Sequence, residues 1–143
     1  MSDAYTQYKE TQILTASPAK LLLMLYDGAI NAMESALAIM SDKTKYDKVN
    51  THLIKAQDII GELMSSINFD IKGELPQSLQ SLYAYMLKKL MEGNFRKQKE
   101  PIQEVLKFMK DLRETWGIAA QQTGNLAPNT NNSQQVSSLN ISG

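Results

Sequence analysis

The chain has no cysteine, so it can build neither a disulfide framework nor a thiolate nucleophile, and a reducing cytosol suits it. It has one histidine, His52. A di-iron helical bundle needs Glu-x-x-His on two helices, and Val49 stands where that glutamate would be, so this site is excluded and the usual zinc sites with it. There is no Gly-rich phosphate loop, no Ser-His-Asp signature and no HExxH segment. Asp58 and Glu62 share a helix face at i, i+4, the ordinary pattern of a solvated face. An excess of either charge is also missing: 15 Lys and Arg balance 15 Asp and Glu, so no long-range field draws the chain to nucleic acid or anionic lipid. The longest apolar run, Leu21 to Tyr26, falls far short of the roughly 20 residues that span a bilayer. The opening MSDAYTQYKE has no apolar signal core. The expectations are a cytosolic protein with no catalytic residue, cofactor or metal, no nucleic-acid partner and no membrane insertion.

What is present is helical periodicity. The 143 residues, 43% hydrophobic, suffice for one domain with a real core. Four segments repeat apolar residues by threes and fours, and almost none alternates as a strand would. The first starts with Ser17 as a cap and Pro18 in the first turn, where its missing N–H costs nothing, and runs to about Met40. The second runs from about Lys45 to Ile67 along Tyr46, Val49, Leu53, Ala56, Ile60, Leu63 and Ile67. After NFDIKGELP, punctuated by Gly73 and Pro76, a third carries Leu79, Leu82, Tyr83, Met86, Leu90 and Met91, and the EGN at 92–94 is expected to end it. The fourth covers about Gln98 to Gln121, with Pro101 in its first turn and a stripe of Ile102, Val105, Met109, Leu112 and Trp116. Helices this long joined by short links pack as antiparallel neighbours. The predicted fold is therefore all-α, an up-down four-helix bundle over residues 17–122. An N-terminal arm (1–16) precedes it, and a tail (123–143) rich in Asn, Ser, Gln and Gly is predicted to be disordered.

The first helix carries more apolar surface than a bundle helix needs. Its polar positions Lys20, Asp27, Asn31 and Glu34 occupy a narrow sector. Two apolar stripes run beside each other, a smaller one through Leu22, Leu25, Ala29, Ala32, Ala36 and Ile39 and a bulkier one through Leu23, Tyr26, Ile30, Met33, Leu37 and Met40. An ordinary apolar face is only somewhat wider than about 100°. Either this helix is simply the most buried of the four, or the arm, another copy or a partner covers the surplus. Leu21, Met24 and Gly28, at the far edge of the arc, fit burial worst and would suit a guest helix. The eight methionines lean the same way, since flexible thioethers adapt to several packings. The segment HLIKA (His52 to Ala56) resembles the His-x-x-Lys-Gly of histidine-phosphotransfer bundles, with Ala56 in place of the glycine. His52 would accept the phosphoryl group and Lys55 would neutralise it.

A longer match is more specific. SPAKLLLMLYDGAI, SINFDIKGELPQSLQSLYAYMLKKLMEGN and IQEVLKFMKDLRETW, in this order and with these connections, resemble the FliS family of flagellar export chaperones over about residues 5 to 120. The resemblance implies a cytosolic binding module, an antiparallel helical bundle that holds the C-terminal segment of flagellin, prevents its premature polymerisation and presents it for flagellar type III export. Components of the export apparatus are the further partners it implies. The surplus apolar surface, taken with this match, gives the expected flagellin-binding groove as Leu21, Met24, Tyr26, Gly28, Ile30 and Tyr85. The resemblance also implies that the arm residues Tyr5, Tyr8, Ile13 and Leu14 lie beside the client surface, where they would gate it. The alternative function is histidine phosphotransfer at His52.

Overall fold

The computed structural model describes residues 18–125; the Ser17 cap, the arm and the tail beyond 125 lie outside them. Four helices make up the described chain: α1 (Pro18–Ile39), α2 (Tyr46–Ser65), α3 (Leu75–Arg96) and α4 (Lys99–Asn125). No strand occurs among the described residues. The protein is an all-α four-helix bundle.

Each junction has a local cause. Between α1 and α2, Asp42 accepts hydrogen bonds from the Thr44 amide at 3.0 Å and the Thr44 hydroxyl at 2.6 Å, and the chain makes one 3-10 turn, Lys43–Lys45, before α2 begins. After α2, Gly73 adopts φ +102°, a left-handed conformation costly for any residue with a Cβ, and Pro76 enters the first turn of α3. The third junction corrects the expectation that EGN ends the helix: α3 runs on to Arg96. Gly93 and Asn94 are buried inside it, and the helix closes at Lys97, the one non-glycine residue with positive φ (52°) among those described. The Gln98 amide donates to the Gly93 carbonyl at 3.0 Å and the Lys97 amide to that of Asn94 at 3.3 Å, the paired closure of a Schellman motif. Glycine at 93 is required by packing, since a Cβ there would lie 2.5 Å from Ile102 Cδ1.

Each helix packs on its neighbours in sequence, and α1 also packs on α4, so the four close a ring. The α1–α4 contacts run in opposite senses, from Tyr26 with Trp116 through Asp27 with Arg113 to Glu34 with Lys110. The same holds for α3 and α4, where Tyr85 meets Glu104 and Gly93 meets Ile102. Inside the ring lie Leu22, Tyr26, Ala29, Met33 and Ala36 of α1, Val49, Leu53, Ala56, Ile60 and Leu63 of α2, Leu79, Tyr83, Met86 and Leu90 of α3, and Ile102, Val105, Met109 and Trp116 of α4. Full burial of each larger apolar side chain is worth about 1.5–3 kcal/mol. Both stripes of α1 are drawn into this core, because α1 is wedged between α2 and α4: Leu22, Ala29, Ala32 and Ala36 of one and Tyr26, Ile30, Met33 and Met40 of the other are buried. By length and composition α1 could also cross a membrane, a test that the core helix of a bundle passes as well. Met91, expected on the core stripe of α3, is instead exposed, because it is rotated well away from Met86 and Leu90 at about 100° per residue.

Candidate functional site

The run Leu25-Tyr26-Asp27-Gly28 occupies one turn of α1 and reaches the neighbouring helices on both sides. Tyr26 points inward. Its hydroxyl is hydrogen-bonded to that of Tyr83 and accepts the indole N–H of Trp116 at 3.0 Å, so one buried polar chain ties α1 to α3 and α4. Burial pushes the Tyr26 hydroxyl above its ordinary pKa, although its bonds to Tyr83 and Trp116 pull it back. Burial also raises that of Tyr83, and the Tyr26 oxygen beside it raises it further. Asp27 turns toward α4, where Arg113 approaches it with Nε at 2.9 Å and a second guanidinium nitrogen at 3.3 Å. This fork holds the Arg113 guanidinium above its ordinary pKa. Two turns further along α1, and one turn back along α4, Glu34 and Lys110 pair at 3.0 Å. Two ion pairs thus bridge the outer edge of the α1/α4 seam.

Gly28 faces the other way, toward α2. A Cβ on it would stand 3.2 Å from Ile59 Cδ1, so its bare backbone lets Ile59 of α2 pack closely against α1. Leu21 and Met24 share this side of α1 by helical spacing. They are half-buried, outside the cluster against which Leu23, Leu25, Leu37 and Ile39 pack. Tyr85 lies elsewhere, on the α3/α4 seam, 38% exposed. Its ring meets Phe108 edge-on at 6.4 Å, its hydroxyl donates to Glu104 at 2.8 Å and Lys89 stands over it at 5.6 Å. The bond to Glu104 raises its hydroxyl pKa.

The residues expected to form one groove are therefore distributed. Leu21, Met24 and Gly28 line the α1/α2 seam, and Tyr85 lies on the α3/α4 seam across the ring. Tyr26 and Ile30 are buried core residues rather than groove lining, because the hydroxyl of Tyr26 finds its partners inside and Ile30 faces α4. Tyr5, Tyr8, Ile13 and Leu14 lie outside the described residues. Sequence reasoning missed Phe108, which packs against Tyr85, and Phe69, Leu75 and Ile118, all exposed near the end of the bundle where α1 begins. The signal for the last three was a large apolar residue standing off the helical stripe or in a link. His52 is half-buried on α2, and no group of three or more metal-ligating side chains occurs among the described residues.

Comparison with known proteins gives these surfaces a context. The model of the family described as flagellar protein FliS matches residues 1–123. The flagellar secretion chaperone FliS of Bacillus subtilis (strain 168) is 35% identical over 122 residues, covering 85% of this chain and 89% of that protein. Its namesakes in Escherichia coli (strain K12) and Salmonella typhimurium are 33% and 32% identical, over 80% and 79% of this chain and 85% and 84% of their own length. The role these names describe is non-enzymatic, which displaces phosphotransfer at His52. With a match over residues 1–123, the chain belongs to the FliS family of flagellar secretion chaperones.

Proposed function

We infer that this chain holds the C-terminal segment of flagellin in the bacterial cytosol, keeps it from polymerising early and presents it for type III export. The observation that carries this reading is the pair Leu21 and Met24, apolar side chains left outside the core on the side of α1 that Gly28 shares. An amphipathic guest helix laid along the α1/α2 seam would bury them. The Tyr85–Phe108 pair on the opposite side offers a second apolar contact. A client that uses both must wrap the bundle, as a segment that folds on binding is able to do. Ordering such a segment costs a few kcal/mol of the gross interaction energy, which favours release at the export machinery as well as capture.

The arm residues Tyr5, Tyr8, Ile13 and Leu14 enter this reading as a competitor. The arm joins α1 at Pro18, one turn from Leu21, so it can cover the same seam when no client is bound. Displacing it lowers apparent affinity by the fraction of molecules whose seam is open.

The test is titration of flagellin into Met24→Glu and Tyr85→Ala, with far-UV circular dichroism of each variant. Both are expected to weaken binding while helical content stays unchanged. If Met24→Glu binds as the parent does, the α1/α2 seam is not the site.

A further inference from the structure

The end of the bundle opposite the start of α1 carries a second surface of a different character. Two links meet there: Lys97 of the α3–α4 corner stands over the ring of Tyr46, at the start of α2, with its Nζ 5.5 Å from the centroid. These two links with the adjoining helix ends, residues 41–48 and 95–100, together hold six Lys and Arg against three Asp and Glu. The link at the other end taken with its adjoining helix ends, residues 63–77, holds one cation against two carboxylates. The neutral total of the chain therefore conceals a bundle with one cationic end.

On that end sits Phe95, 88% exposed, the most exposed large apolar side chain among the described residues, with Met91 one turn before it at 57%. The corner that presents Phe95 is fixed. Lys97 is held in the left-handed region, unusual for a residue with a side chain, and its ammonium donates to the backbone carbonyl and side-chain oxygen of Asn94 at 2.6 and 2.7 Å. Asn94 in turn donates to Asn50 of α2 at 2.8 Å. The closure of α3 thus holds the backbone at Phe95 in place, and an apolar side chain with a polar rim is the anatomy of a protein interface.

We propose that this end docks an acidic segment of a partner protein, its carboxylates meeting the two cationic links and an apolar side chain seated on Phe95. Other occupants fit less well. The chain's own tail, 123–143, contains no Asp or Glu and cannot complement the charge. A second copy presenting the same end would be repelled. Three carboxylates set among the cations oppose a phosphate-covered lipid surface but suit the mixed pattern of a protein. The site is separate from the α1/α2 seam and stands whether or not flagellin binds there.

Fluorescence anisotropy of the full chain tests it with three probes: a labelled helical peptide of about five turns with Glu on one face and Leu and Phe on the other, the same peptide with Lys for Glu, and phosphatidylglycerol vesicles. Flagellin titration serves as the control. The acidic peptide is expected to bind in a salt-sensitive way and to weaken about tenfold or more, a loss of roughly 1.4 kcal/mol, in Phe95→Ser and in Arg96→Glu. Both positions are exposed, so the variants should keep their helical content. Flagellin binding should not change in either variant. The proposal is overturned if the acidic peptide does not bind, if both peptides bind alike, if vesicles are preferred, if Phe95→Ser has no effect, or if flagellin binding falls with it. Salt-sensitive self-association that Phe95→Ser abolishes would overturn it too, by making another copy the occupant.

Discussion

Removing the Tyr26 hydroxyl takes the acceptor from the Trp116 indole and the partner from Tyr83 in one step. The buried indole N–H of Trp116 then loses its acceptor, so Tyr26→Phe is expected to lose about 1–3 kcal/mol in urea unfolding, with a shift in Trp116 fluorescence. Tyr83→Phe should lose less, because Tyr26 still accepts from Trp116. Both tyrosines have folded pKa values raised mainly by burial. The folded protein therefore keeps protons that the unfolded chain releases above about pH 10. The associated stability is fully present below that pH and is lost as pH rises beyond it. Urea midpoints measured from pH 8 to 11 should fall at the alkaline end for the parent and less steeply for Tyr83→Phe; equal slopes would remove the buried pair from this effect. The place of Tyr26 was not legible in the sequence. A tyrosine on an apolar helix face suits a groove rim or a core equally, and the partners that decide it lie 57 and 90 residues away, beyond the reach of periodicity. Asp27 has a milder part. Its pair with Arg113 is about half exposed, so Asp27→Asn should lose no more than about 1 kcal/mol, and less in high salt.

Two glycines within helices show why helix ends and helix contacts are read from sequence with different success. Glycine after a helical run usually marks its end, and the EGN segment fits that pattern. At position 93, however, glycine serves the approach of α4, and the true stop four residues later is a lysine, a residue with no such reputation. Gly93→Ala would drive a methyl into Ile102 and toward the Gln98 carbonyl, 3.2 Å away. It should destabilise by about 1–3 kcal/mol despite its better helix propensity. Gly28→Ala meets only the flexible tip of Ile59, and alanine regains up to about 1 kcal/mol of propensity. Stability should stay level or rise as the tip of Ile59 gives way by a few tenths of an ångström. Calorimetric unfolding of both variants checks this; a loss at Gly28 as large as that at Gly93 would contradict it. The four helices themselves were legible because each carries a long stripe at steps of three and four, and the Gly73 and Pro76 stop was legible because backbone geometry limits which residues tolerate it. The distribution of Met24 and Tyr85 to opposite seams was not, since it depends on how the helices are ordered around the ring.

The bundle as a whole uses nearly all the apolar surface of its first helix internally and leaves a remainder at the α1/α2 seam, an aromatic pair at the α3/α4 seam and a cationic end with an exposed phenylalanine. A chaperone that holds an unfolded terminal segment needs dispersed apolar contacts of this kind rather than one deep pocket, because the guest gains its structure on the host. Burial of apolar area on both partners requires a negative heat-capacity change on binding. Deleting residues 2–14 should speed association if the arm competes for the seam, and stopped-flow mixing reads this directly; an unchanged rate in the folded deletion would make the arm a clasp that the client never meets. The most direct measurement is isothermal titration of the full chain with intact flagellin and with flagellin lacking its C-terminal segment, at several temperatures. Binding with a negative heat-capacity change for the intact protein, and none for the truncated one, is the predicted result; equal binding of the two would contradict it.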